Sequence, residues 1–212
     1  MPESRGVGIG KLIIVGILVA AALIAFMVLT QRGQPPSLQD VVKGNPDHYA
    51  EYTITAEMGG AVRNASLYYA KKGQREAMGA KSEQGETKLV INGGTAYYCH
   101  APPGGQWKCG AISVEEARKY RLKEFLANIR NVTPLSPKTI AGQYSYCWGG
   151  VIPTKTPAVS IKAAFCLTPS GVLTRLVTQT SVQGRVLQRM EINLDKISWE
   201  VPDSVFELPA KP

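Results

Sequence analysis

The stretch Lys88–Cys109, KLVINGGTAYYCHAPPGGQWKC, leaves the chain few ways to fold. Asn92-Gly93-Gly94 supplies residues that accept positive φ, as a tight turn between Leu89-Val90-Ile91 and Ala96-Tyr97-Tyr98 requires. Pro102-Pro103-Gly104-Gly105 reverses the chain again ahead of Trp107. Three short antiparallel strands are therefore expected. With the second loop centred on Gly104, Cys99 and Cys109 lie opposite each other and can bond across the hairpin. Closing so short a loop stabilises a fold by about 2.5–3 kcal/mol in the chain-entropy model. The alternative is a pair of buried free thiols.

The rest of the chain repeats this alternation. Tyr52, Ile54, Ala56 and Met58 alternate with Thr53, Thr55 and Glu57, the period of a half-buried strand. Residues 66–71 and 75–80 form the arms of a hairpin across Gly73. Residues 143–148 and 158–167 bring Cys147 and Cys166 within reach across the Pro153–Pro157 loop. The four cysteines allow three pairings, and proximity in sequence favours Cys99–Cys109 and Cys147–Cys166. Val186, Met190, Ile192 and Leu194 share one face of a late strand, and Val201–Pro209 closes the domain.

Two helices are expected among these strands. Ser37 caps a short one over residues 38–42, with Asp40 near its positive end. Ser113-Val114-Glu115-Glu116 is a capping box opening a longer helix. Its stripe is Leu122, Phe125, Leu126 and Ile129, with Arg118, Lys119, Arg121 and Lys123 elsewhere on its surface. That basic face is either a solvated exterior or a lid beside an anionic headgroup. Pro134 and Pro137 end the region. Strands in succession with one main helix point to an α+β, mainly antiparallel fold: a large curved sheet or unclosed β-barrel with a short N-terminal helix.

Leu12–Leu29 is an uncharged run of about 18 residues, the lower end of what spans a bilayer. Arg5 and Lys11 before it place residues 1–11 in the cytoplasm. The chain divides accordingly into a transmembrane helix at 12–30, a linker at 31–36 and an extracytoplasmic domain at 37–212. A cleaved signal peptide is the competing reading, but its apolar region would be shorter and no clear small-x-small cleavage site follows Phe26. An exterior location permits disulfides. It also fits the sequons at Asn64 and Asn131, which mark expected glycosylation. The expected localisation is thus a single-pass protein of the cell membrane.

Several chemistries are poorly supplied. The formal charge of +8 comes from scattered Lys and Arg without interleaved aromatics, which speaks for a basic surface and against nucleic-acid binding. No CxxC spacing occurs and His48 and His100 are far apart, so neither metal nor other cofactor is expected. There is no GxSxG, HExxH or P-loop, and bonded cysteines are not nucleophiles. The expectation is no enzyme. The concave face of such a sheet either fills with helix or leaves an apolar cavity. Tyr97, Tyr98, Trp107, Phe125, Leu126, Met190 and Ile192 are the candidates to line it, although for any one of them a plain core position is the favoured reading.

The phrases VINGGTAYY, QW, CLTPSGVLTRL and WEVPDSVFELP, in this order after a short helix, resemble the LolA/LppX superfamily of extracytoplasmic lipoprotein carriers and lipid-binding proteins. The resemblance covers about 37–209. It implies an unclosed barrel with a helical lid and a cavity for acyl chains of a lipid or a lipoprotein partner in the cell envelope. The anchor and the two cysteine pairs depart from the soluble carriers, which argues against long-range shuttling. A second resemblance is confined to the start. Arg5-Gly6-Val7-Gly8-Ile9-Gly10 and the apolar run after it are similar to the processing region of archaeal pilins and archaellins. It implies a self-assembling filament subunit, the alternative expectation.

Overall fold

A computed structural model of the chain describes residues 36–44 and 46–212. The run at 12–30, read above as a spanning, cleaved or pilin-like segment, lies outside the described residues. Among the described residues no helix is long and apolar enough to cross a membrane.

Eleven strands form one sheet: β1 (His48–Met58), β2 (Ala61–Lys72), β3 (Arg75–Ser82), β4 (Gly85–Asn92), β5 (Thr95–Ala101), β6 (Lys108–Ile112), β7 (Arg130–Ile140), β8 (Gln143–Ile152), β9 (Val159–Leu167), β10 (Leu173–Val182) and β11 (Arg185–Ser198). Their spatial order is β6-β5-β4-β3-β2-β1-β11-β10-β9-β8-β7. All ten pairings are antiparallel. The sheet is thus two meanders, β1–β6 and β7–β11, sewn together by β1 against β11 and left unclosed. Both cysteine pairs are bonded, each between residues directly opposite in register.

Helix α1 (Leu38–Gly44) precedes the sheet, and α2 (Val114–Arg118) and α3 (Leu122–Ala127) carry the chain from one sheet edge, β6, to the other, β7. The continuous helix expected from Ser113 to Ile129 is two short ones. Ser113 Oγ accepts from the Glu116 N–H as the capping box requires, but Arg121 adopts an extended backbone (φ −70°, ψ 139°) and restarts the turn. The break follows from packing. Ala117 is buried over Leu89, Ile91 and Ala96 in one wing, whereas Leu126 and Ile129 pack with Trp148 and Phe165 in the other. One straight helix cannot present both faces across that span.

Pro134 and Pro137, expected to end the helical region, lie within strand β7. It is an edge strand with register shifts, the place where a sheet tolerates residues without an N–H. Gly150 in β8 lets β7 approach: a Cβ there would meet Ile129 Cγ2 at 2.5 Å and the Arg130 carbonyl oxygen at 2.8 Å.

Register sorts the side chains between two faces. Tyr52 stands opposite Leu67 and Leu194, Leu176 opposite Ile192 and Phe165, and these point toward the helices. The other face carries Ala70, Ala77 and Val90, covered by a C-terminal strap whose 3-10 turn, Asp203–Phe206, buries Phe206 against them. Arg75 lies 4.6 Å from the Phe206 ring centroid, and Asp203 accepts from both Arg75 (2.6 Å) and Lys72 (3.0 Å).

Candidate ligand cavity beneath the helices

Between the helix face of the sheet and α3 lies a cavity of about 490 Å³. Its floor is strand side chains, among them Tyr52, Leu67, Leu176 and Ile192, and Phe125 and Leu126 of α3 form part of its roof. A volume of this size is in the range of small-molecule sites. The strand alternation that fills the core elsewhere falls short here, because α2 and α3 are too short to cover the whole width of the sheet.

One side of the cavity is polar. Arg121 grips Glu76 with both arms: Nη2 lies 2.6 Å from Oε1, and Nε donates to Oε2 at 2.9 Å. The Tyr69 hydroxyl also donates to Glu76 Oε2, at 3.3 Å. Residue 121, which interrupts the helical connection, thereby ties it to β3. Burial, reinforced by the Glu76 carboxylate, holds the Tyr69 phenol far above its ordinary range, and burial does the same for Tyr52. His48 stands beside Tyr69, ring centroids 5.4 Å apart, with Nδ1 2.8 Å from the Pro46 carbonyl oxygen. Burial holds its pKa below the usual histidine value, so the ring is neutral near pH 7 and Nδ1–H is the donor. The fork neutralises itself, and the cavity offers an apolar wall with hydroxyl and imidazole groups at one side. Exposed Lys119 reaches the rim and forms no ion pair among the described residues.

Of the seven candidates named from the sequence, Phe125, Leu126, Met190 and Ile192 line this cavity. Trp107 does not. It lines a hollow of about 480 Å³ on the strap side of the sheet, with Tyr49, Tyr68 and Lys88. Tyr97 and Tyr98 line neither. As neighbours on one strand they point to opposite faces: Tyr97 stands opposite Val90, and Tyr98, 39% exposed, stacks with His100 two strands out from Met78. Sequence reasoning missed Tyr52, Tyr69 and the Glu76–Arg121 fork. The first two were visible as strand residues on the Leu67 and Ile54 side. The fork joins residues 45 apart and leaves no local signal. Asn64 and Asn131 are both exposed, and Asn131 has φ 52° at a register shift of β7.

Among the described residues no group of three or more His, Cys, Asp or Glu side chains converges as a metal site would need. No protein-family model matches the chain, and no curated protein sequence does. Solved structures do. A chain of the MucA/MucB complex of Pseudomonas aeruginosa is 11% identical with a TM-score of 0.49, over 79% of this chain and 58% of that one. LprF from Mycobacterium bovis is 16% identical with a TM-score of 0.46, over 82% and 95%. A LolA superfamily protein from Nitrosomonas europaea is 10% identical with a TM-score of 0.37, over 82% and 99%. The chain spans 58% of the length of the first.

Proposed function

We propose that this chain is a membrane-anchored, extracytoplasmic binding protein that houses an acyl chain of a lipid or of an acylated partner protein, and performs no catalysis. The observation that carries the reading is the cavity: about 490 Å³, floored by apolar strand residues, roofed by short helices and polar along one side only. An acyl chain placed there gains about 0.8 kcal/mol for each methylene removed from water. Its headgroup meets Lys119 and Tyr120 at the rim. Glu76, Arg121 and Tyr69 are engaged with one another, which favours a structural role for them. The two disulfides fit an oxidising exterior. Anchoring through 12–30 and glycans on Asn64 and Asn131 belong to the same proposal.

The test is native mass spectrometry of the full chain extracted in detergent, followed by lipid analysis. The expected result is near-stoichiometric lipid that is reduced in Ile192→Trp, where an indole rises from the floor and obstructs the cavity. An unliganded protein that also fails to take up an added fluorescent fatty acid would overturn the reading.

A further inference from the structure

Two hairpin tips stand side by side at one end of the sheet. Met58 and Val62 flank the turn between β1 and β2, at 58% and 61% exposure, and Val186 and Leu187 follow the turn between β10 and β11, at 52% and 48%. These are four of the five exposed large aliphatic side chains among the described residues. The strands that carry them are adjacent, because Met58 pairs with Gln188 and with Ala61. From β2 to β10 the tips span about 15 Å, three interstrand spacings. Register sets Met58 and Val62 on opposite faces of the ribbon, so the apolar side chains surround the tips, and such a grouping at an exposed end marks something to be covered.

Both turns are tight. Gly59 and Gly60 have φ of 59° and 83°, and Gln183 and Gly184 have 50° and 80°, the paired positive values of a two-residue hairpin. The apolar side chains are therefore held out on short, stiff tips. Around them the charge is basic. Arg63, Arg185 and Lys155 are exposed and make no ion pair among the described residues. The Gln183 N–H donates to the Ala158 carbonyl at 2.9 Å, so the loop bearing Lys155 lies beside the β10–β11 tip. Arg189 also lies there but is shared with Glu191 and stands opposite Glu57. Aliphatic tips ringed by unpaired cations complement an anionic lipid surface, where acyl boundary and phosphate layer meet the two groups at their own depths.

We infer that these two hairpin tips dock the domain on an anionic lipid surface. The direction fits the cavity. Along β1 the file Tyr52, Ile54, Ala56, Met58 is apolar without interruption, running about 20 Å from the cavity floor to the tip. Docking itself rests on the tips alone and stands or falls apart from cavity occupancy.

The experiment uses the full chain in nanodiscs of neutral phosphatidylcholine, with vesicles added and separated by flotation. Co-flotation with vesicles rich in phosphatidylglycerol and little with pure phosphatidylcholine is expected. Met58→Asp with Leu187→Asp should abolish it, and Arg185→Gln should weaken it about fivefold. Val62→Asp alone gives a second variant should the double one lower the melting temperature. No co-flotation of the parent would overturn the inference. So would undiminished binding by the aspartate variants, which would reduce the attraction to overall charge. Self-association of the parent that the same variants abolish would also overturn it, assigning the tips to a second copy.

Discussion

Glu76→Ala tests whether the helical connection is latched to the sheet through Arg121. In the parent, Glu76 is 13% and Arg121 27% exposed at the side chain, so the pair lies between two regimes. Removing one partner from a fully buried pair costs about 3–5 kcal/mol, whereas exposed pairs contribute about 1 kcal/mol or less. The partial exposure of Arg121 brings the expected loss to about 2 kcal/mol. The substitution also strips the Tyr69 hydroxyl of its acceptor. Because the fork joins β3 to the break before α3, the loss should fall on the connection and spare the seam between β1 and β11. Amide hydrogen exchange measures this. Protection over residues 114–127 should drop about 30-fold, at tenfold per 1.4 kcal/mol, while β1 and β11 exchange as before. Glu76→Gln, which keeps an acceptor, should show a smaller drop. Equal loss of protection in the central strands would refute the latch, since the fork would then hold the whole domain. An unchanged connection would refute it as well.

Acid should release the C-terminal strap. The Arg75 hydrogen bond, with Lys72 beside it, holds the Asp203 carboxyl below its ordinary range; its contribution is complete above about pH 4 and is lost as pH falls through the depressed value. Ring resonances of Phe206 followed from about pH 5 downward should broaden or shift, and Asp203→Asn should show the released spectrum at neutral pH. Replacing Cys99 and Cys109 by alanine should cost about 2.7 kcal/mol and replacing Cys147 and Cys166 about 3.2 kcal/mol, from sequence separations of 10 and 19; denaturant titration reads both, and a reversed order contradicts the loop argument. Gly150→Ala should destabilise by about 1–3 kcal/mol, because the added methyl meets the Arg130 carbonyl as well as Ile129, and an unchanged melting temperature would show that β7 yields.

Much of the sheet was legible because its signals are local. Asn92-Gly93-Gly94 and Gly73 mark turns, alternation from Tyr52 to Met58 marks a strand, and two cysteine pairs sit opposite each other across short loops. The helix break at Arg121 was not legible, since it answers to two packing sites in different wings of the sheet. Nor was β7, because prolines that exclude a central strand are harmless on an edge. The cavity was half legible. Phe125 and Leu126 follow from the apolar stripe and Met190 and Ile192 from strand alternation. Tyr97 and Tyr98 belong to an outer strand of one wing and Trp107 to the loop before its edge strand, and only the full strand order shows that they lie away from the roof formed by α3.

The pairing of β1 with β11 governs the order in which this domain comes into being. Each meander zips from neighbouring hairpins, but the seam between them joins Tyr49 to Ser198, nearly the two ends of the domain. A chain made or exported from its N-terminus presents β1 with one side unpaired until the last strand arrives. Loop closure over that distance is slow, and a waiting strand edge invites the wrong partner. Folding is therefore governed by its final step, and any chain cut before β11 keeps an open seam through the middle of its sheet.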